Sequence, residues 1–346
     1  MIQKFTISRD DSIYEAFPDV ALTPSGKLVC VFAECAHHVD RSYTRIMVTE
    51  STDRGRTWSA KKPLTEATSD LPWYNCPRIS RLGDGRLVVL VDLIHAQGQG
   101  QAEEHYRNLL YFSEDEGVNW SDAAETPALG IVPDKLLELE SGRWILACHH
   151  HDAEFGYAIQ RLWYSDDQGD TWSGPVIVGR QEGLNLCEVS ILPITSETLV
   201  AFHRENSGQG WDCYKTVSHT SGECWSEPIR FPLPGCHRPV AGWLQDGRIM
   251  ITHRFMQGGR RGFGHATQDF FAAITDRDSA LALRRSDVWA RILPVDFDRS
   301  PQSDTGYSGW AQFTDGEIYI VNYLVDDAPK GQIRGYSLTT DEFLLD

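Results

Sequence analysis

The 346-residue sequence has no apolar run near the roughly 20 residues that a membrane-spanning helix requires, which excludes an integral helical membrane protein. It also lacks positive charge. Lys and Arg total 32 against 49 Asp and Glu, a net charge of −17, and so acidic a chain is unsuited to the phosphate backbone of nucleic acid. Lysine is scarce among the basic residues, 7 against 25 Arg. Arg presents a planar fork that grips carboxylates bidentately, so the skew fits a carboxylate-binding site as well as a plain surface preference. The opening segment MIQKFTISRDDSIYEAF has no basic stretch followed by an apolar one, so no secretory leader is expected and a cytoplasmic location is. The 8 Cys form no CxxC pair and read as buried free thiols in a reducing compartment, with Cys213 and Cys224 expected to lie closest together. No zinc, cofactor or phosphate-binding motif is present. Sustained helical periodicity is missing too; no segment keeps it beyond about two turns.

What is there is a repeat. STDRGRTW occupies 51–58, SEDEGVNW 113–120 and SDDQGDTW 165–172, and SHTSGECW at 218–225 keeps the length but has lost the Asp. TDRDSALA at 275–282 and SLTTDEFL at 337–344 fall where fifth and sixth copies belong, so successive starts lie 52 to 62 residues apart. Upstream of each box is a strand–turn–strand pattern: ALTPSGKLVCVFAE, RISRLGDGRLVVLVD, ELESGRWILACHH, SILPITSETLVAFHR, GWLQDGRIMITHR and AQFTDGEIYIVNY. Gly with Asp, Ser or Pro makes the tight turn, and β-branched or aromatic runs flank it. A third strand then leads into the box. About 58 residues per unit suits a four-stranded propeller blade with long loops.

Chemically the box is a turn. Gly supplies positive φ, the Ser and Asp side chains satisfy hairpin amides, and Trp packs between units. Asp53, Asp115 and Asp167 are therefore read as structural. The repeat resembles the Asp-box (BNR repeat) of the sialidase, or neuraminidase, superfamily, whose members are six-bladed β-propellers. The resemblance covers essentially the whole chain. It implies an all-β protein, one six-bladed propeller of four-stranded antiparallel blades over 1–346, with the strand near Lys4–Ser8 completing the last blade.

In a propeller the start of each blade's first strand and the end of its second surface at one mouth. Strand-1 starts here carry Pro18 and Asp19, Pro77 and Arg78, Glu188, His237 and Arg238, and Tyr307. Strand-2 ends carry Glu34 to His38, Asp92 to His95, His149 to Asp152, His203 to Glu205, His253 and Arg254, and Asn322 and Tyr323. Nine of the 12 His fall in these two sets: His37, His38, His95, His149, His150, His151, His203, His237 and His253. The clustering predicts a polar, proton-active pocket. A His-ligated metal would fall near His149–Asp152, but no ligand spacing there supports one, and none is expected.

The sialidase resemblance implies roles at these positions. The family pairs a Tyr nucleophile with a Glu that activates it, adds an Asp acid/base in the first blade's strand 2–3 loop, and grips a substrate carboxylate with three Arg. CEVSILPITSETLVAFHR looks like the family stretch that maps Glu188 and Arg204; GYSGWAQFTDGEIYIVNY maps the Tyr onto Tyr307; Asp40 falls near the acid/base. The family's first Arg opens blade 1 in an Arg-Ile-Pro motif, and here that stretch is Ala16-Phe17-Pro18. The third Arg is Arg254, Arg260 or Arg261. Arg78 and Arg238 are candidates to replace the missing one, and Asp19 and His150 to contact substrate.

The chemistry explains the residue types. A carboxylate nucleophile is repelled by an acid group on the reacting carbon, whereas a neutral Tyr is not, but a phenol of pKa about 10 needs a base. The resemblance implies an exo-acting hydrolase of a terminal acidic (sialic-acid-like) or related sugar, needing no cofactor. Two alternatives stay open: a lyase on uronic acids, in which Tyr or His removes a proton that Arg-bound carboxylate makes acidic, and a propeller that only binds carbohydrate or protein.

Overall fold

The computed structural model describes residues 1–69, 71–95, 103–208, 212–257 and 267–344. Six antiparallel sheets follow one another along the chain as the blades of a propeller. Their innermost strands are Tyr14–Leu22, Trp73–Arg81, Leu137–Glu138, Leu186–Pro193, Cys236–Trp243 and Thr305–Gln312. Blade 1 is irregular at its rim, where Lys62–Pro63 and Thr68–Ser69 both pair with Tyr43–Ser51. Blade 3 is irregular at the axis. Its innermost strand is only two residues long and continues upstream as a lone bridge between Ile131 and His149, with Pro133 in between, a residue that has no N–H to donate.

The chain ends meet in blade 6. Gln3–Ser8 pairs with Gln332–Leu338, so the N-terminal strand forms the outer edge of the last blade and closes the ring, as the sequence suggested. Closure removes the exposed edges that an open stack of sheets would leave.

The boxes fold as hairpin turns. Ser51 Oγ donates to Asp53 Oδ1 at 2.8 Å and accepts the Gly55 amide at 2.8 Å; Asp53 Oδ1 accepts the Thr57 amide at 2.9 Å; Trp58 Nε1 reaches Gly55 O at 3.2 Å. The pattern recurs at Ser113–Trp120 and Ser165–Trp172. These bonds hold all three Asp near pKa 2 at the surface, far from the axis. In the fourth box Thr220 Oγ1 takes the place of the carboxylate and accepts the Cys224 amide at 2.8 Å. In the fifth and sixth positions the turn is replaced by short helices, Arg277–Leu281 and Thr340–Phe343. Gly55 has φ +82°, and a Cβ there would lie 2.1 Å from the Tyr319 ring, so the box glycine is required both for backbone conformation and for blade-to-blade approach.

All eight cysteines are free, seven of them buried. Cys224 is exposed in its box turn, beyond the far end of the strand that starts with Asp212 and Cys213. It is therefore Cys236, not Cys224, that Cys213 meets, within hydrogen-bond reach. Thiol titration of denatured, unreduced protein should find all eight thiols; four or more missing would contradict the buried-thiol reading.

Candidate active site at the propeller mouth

The mouth is built by a repeated irregularity. The innermost strands of blades 1, 2, 4, 5 and 6 slip register at the same place, after Ala16, Tyr74, Cys187, His237 and Thr305. Such bulges bend a strand and re-aim its side chains. Here they hold Phe17, Glu188 and Arg238 at φ of 58°, 48° and 52°, a region costly for side-chain-bearing residues, and Gly306 at φ 101°. The side chains at or beside four of these bulges, Phe17, Glu188, Arg238 and Tyr307, converge.

Tyr307 donates its hydroxyl hydrogen to Glu188 Oε1 across the axis, from blade 6 to blade 4. Arg204 Nη1 donates to the same oxygen at 2.6 Å, and its Nη2 to Asn206 Oδ1 at 3.1 Å. Guanidinium carbons of Arg254 and Arg238 lie 5.0 Å and 5.6 Å from the Tyr307 ring centroid. The Phe17 ring meets Tyr307 at 5.0 Å, in the place where the missing arginine was expected. Tyr307, Glu188, Arg204, Arg238, Arg254 and Phe17 are all buried. Burial alone would push Glu188 up, but Arg204 and Arg238 hold it down at about 2, so it is a carboxylate at neutral pH. Burial first and then the Glu188 charge push the Tyr307 phenol well above its ordinary value, so it stays protonated. Four buried atoms around the pair, Glu188 Oε2, Arg204 Nε and Arg238 Nε and Nη1, have no hydrogen-bond partner among the described residues. Orphaned buried polar atoms are costly and mark places where a polar ligand would be favoured.

Of the residues expected at the site, Tyr307, Glu188, Arg204, Arg254 and Arg238 come together. Arg254 is anchored by Tyr323 OH at 3.0 Å and by Thr305 O. Arg260 and Arg261 lie outside the described residues.

Four others go elsewhere. Asp40 is exposed and caps a turn, accepting the Ser42 amide at 3.0 Å, a bond that lowers its pKa. His150 turns to the other side of its strand, toward Tyr106 at 6.2 Å and Glu103 at 3.7 Å. Neighbouring side chains on a strand alternate, so it is His149 that lies against Glu188, its Nδ1 accepting the Glu188 amide at 3.4 Å. The same alternation buries His203 and His253 fully while Arg204 and Arg254, one residue on, face Tyr307. His203 binds Thr216 Oγ1 at 2.9 Å, and burial pulls it to about 3. These two are core histidines, so the proton-active pocket inferred from the nine holds fewer of them than expected.

Asp19 and Arg78 form an axial plug rather than a substrate subsite. Asp19 accepts the Val20 amide at 2.9 Å and the Ile79 amide of blade 2 at 3.0 Å, with Lys135 Nζ at 3.0 Å and Arg78 Nε at 3.4 Å. Arg78 Nη1 crosses to Ser308 O of blade 6 at 2.8 Å. At the opposite ends of the innermost strands is a cavity of about 1050 Å³, lined by Lys135, Trp243, Trp310 and their neighbours but not by Tyr307, Glu188 or Arg204. Among the described residues no group of three or more His, Cys, Asp and Glu is placed to hold a metal ion.

Sequence reading missed Asp304, Tyr14 and Asn206. Asp304 was findable, lying three residues before Tyr307 at the same mouth. Tyr14 OH donates to its Oδ2 at 2.5 Å and Tyr323 OH to its Oδ1 at 2.6 Å.

Residues 74–320 match the sequence model of the family described as "BNR repeat-like domain". A sialidase of Micromonospora viridifaciens is 32% identical over 143 residues, which is 38% of this chain and 20% of that protein. Matches to curated relatives span from 9% to 53% of the relatives' own length. A crystal structure of a protein of unknown function from Dyadobacter fermentans superposes with TM-score 0.78 at 19% identity, over 98% of this chain and 99% of that one. Trypanosoma rangeli sialidase in complex with sialic acid superposes with TM-score 0.69 at 15% identity, over 99% of this chain and 59% of that one. At these identities the structural likenesses establish the fold.

Replacing Asp19 by Ala leaves Arg78 and Lys135 without their nearest counter-charge at the axis, with only Asp134 remaining among the described residues. Breaking a buried pair by removing one partner costs about 3–5 kcal/mol, and chemical denaturation should show a loss of that size. An unchanged midpoint would refute the plug.

Proposed function

This chain belongs to the BNR repeat-like domain family, and we propose that it is an exo-acting glycoside hydrolase that releases a terminal acidic sugar. The observation that carries the reading is the hydrogen bond from the Tyr307 hydroxyl to a Glu188 carboxylate that Arg204 holds ionised. A phenol needs a base to become a nucleophile, and this one already faces its base. As Tyr307 attacks the anomeric carbon, its proton passes to Glu188. Most glycosidases use a carboxylate nucleophile, and a Tyr in its place suits a substrate with its own carboxylate next to the reacting carbon.

Arg238 and Arg254 flank the Tyr307 ring at 5.6 Å and 5.0 Å, where they would meet that carboxylate and any negative charge developing on the phenol. With Phe17 at the blade 1 bulge, Arg238 at the matching bulge of blade 5 takes the part of the absent arginine. Its orphaned Nε and Nη1 support that assignment. The sialidase relative supports the acidic-sugar class. The family match and the sialidase relative support the coarser reading of a sialidase-superfamily propeller, either glycosidase or binding propeller.

Incubation with sialylated and uronic-acid-terminated oligosaccharides separates the readings. A hydrolase releases a reducing acidic sugar, a lyase releases an unsaturated product absorbing in the near ultraviolet, and a binder releases neither. For a hydrolase, Tyr307→Phe and Glu188→Gln should each lower kcat by about 10²–10⁴-fold. The double variant should be little worse than either single, because the two act as one unit. Arg204→Lys should raise KM, at a cost of about 1.5–3 kcal/mol in binding, and should also lower kcat because it loosens Glu188. Additive losses in the Tyr307–Glu188 cycle would refute the pair.

A further inference from the structure

The strand 2–3 loop of blade 1 turns Asp40 outward and turns His38 inward. His38 Nδ1 lies 2.6 Å from Asp304 Oδ2. Asp304 is buried and fixed on every side. Besides the two tyrosine hydroxyls, its own amide donates to Asp298 Oδ2 at 2.9 Å, and Arg254 Nη2 is 3.8 Å from Oδ1. Three residues beyond Asp304 on the same strand is Tyr307.

The imidazole also borders the rings that frame Tyr307. It meets the Phe17 edge at 5.1 Å, and Phe17 meets Tyr307 at 5.0 Å. Tyr323 lies 6.4 Å from His38 and 6.2 Å from Tyr307. The His38 side chain keeps 18% of its surface open, against 10% for Asp304, so it is the more solvent-facing member of the pair. With Nδ1 bound to Asp304, Nε2 is directed away from that carboxylate.

We propose that His38, oriented by Asp304, is the group that exchanges a proton with the leaving and entering oxygens in this site, in place of Asp40. The assignment rests on the hydrolase reading above. In the first step Tyr307 Oη bonds to the anomeric carbon as the glycosidic C–O bond breaks. The phenolic proton goes to Glu188, and His38 Nε2 gives its proton to the departing oxygen. In the second step a water oxygen bonds to the anomeric carbon, the bond to Tyr307 breaks, His38 Nε2 takes the water proton, and Glu188 returns its proton to Tyr307. The sum is glycoside plus water giving two hydroxyl products, with every group restored. Asp304 stays ionised throughout and stabilises the imidazolium while fixing the ring, the part a buried carboxylate plays for a histidine in other dyads. It is a positioning residue. Burial, aided by the guanidiniums of Arg41 and Arg254, holds His38 below its ordinary value although Asp304 pulls it up, so the imidazolium that gives the proton is the minor form at neutral pH.

The test compares two probes, 3′-sialyllactose, whose sugar leaving group needs a proton, and 4-methylumbelliferyl α-N-acetylneuraminide, whose leaving group does not. His38→Asn should lower turnover of sialyllactose by about 10²–10⁴-fold. On the aryl glycoside it should leave a fast first release followed by slow turnover. Azide should restore that turnover and yield the glycosyl azide. Asp304→Asn should show the same leaving-group dependence in weaker form, with melting curves confirming that both variants fold; His38→Gln serves should His38→Asn fail to fold. Equal losses on both probes without azide rescue would overturn the assignment, as would azide rescue of Asp40→Asn instead. If the wild-type protein hydrolyses neither probe and releases no acidic sugar from the uronic-acid-terminated oligosaccharides, the hydrolase reading falls and takes this assignment with it. Activity retained with the pattern reversed removes His38 alone.

Discussion

The innermost strand of every blade has one edge with no neighbouring strand, and that edge faces the axis. Backbone amides there are out of reach of bulk water and need acceptors. The chain supplies them from side chains, in several cases from the preceding blade. Asp19 of blade 1 accepts the Ile79 amide, Asp134 of blade 3 accepts Ile191 at 2.7 Å, and Ser190 of blade 4 accepts Ala241 at 3.0 Å. Within blade 2, Asp92 accepts the Cys76 amide at 2.8 Å, and its other oxygen accepts Val132 of the next blade at 2.9 Å. Each such bond does two things, closing an open edge and setting one blade against the next. Because several acceptors are carboxylates, the axis also draws in cations, and Arg78 and Lys135 are there for that reason.

The same edges explain why the mouth can hold strained residues. A bulge in an interior strand would disrupt ladders on both sides, whereas a bulge at the axial edge disrupts one. Five blades use that freedom at the same register position. The strain is tolerated because the surrounding contacts are fixed independently: the Gly306 amide is taken by Asn322 Oδ1 at 2.9 Å, and a Cβ on Gly306 would lie 2.3 Å from Arg254 Cβ. Glycine at that point lets blade 6 approach blade 5 closely and brings Tyr307 beneath Arg254.

Much of this was legible in the sequence where the controlling interactions are local. The box is an eight-residue hydrogen-bond pattern, so three intact copies identified themselves, and their spacing carried the blade count. Tyr307 and Glu188 are 119 residues apart, yet their meeting was legible because both begin an innermost strand and the ring puts strand starts at one mouth. What was not legible were distinctions of a single residue. His150 against His149, Asp40 against His38, and the histidines beside Arg204 and Arg254 differ only in which side of a strand or loop they take. That depends on register and on partners far away, such as Asp304. Asp19 was misread for a different reason. A carboxylate at a mouth and a carboxylate accepting the next blade's amide look alike until the next blade is in place.

The electrostatics of the mouth follow from combining these constraints. A buried phenol next to a buried carboxylate would, by itself, drive both to hold protons. Arg204 donates directly to Glu188 and Arg238 adds to its field, which lowers the carboxylate. The proton therefore rests on Tyr307 alone, in a hydrogen bond to Glu188. Arg254 lies over the ring and is fixed by Tyr323 and Thr305, neutral groups that leave its charge in place. A cationic cluster of this kind favours an anionic ligand, and the neutral phenol adds no second negative charge to it. The residue types at the mouth then follow from one requirement: to hold a buried phenol protonated and the buried carboxylate beside it ionised.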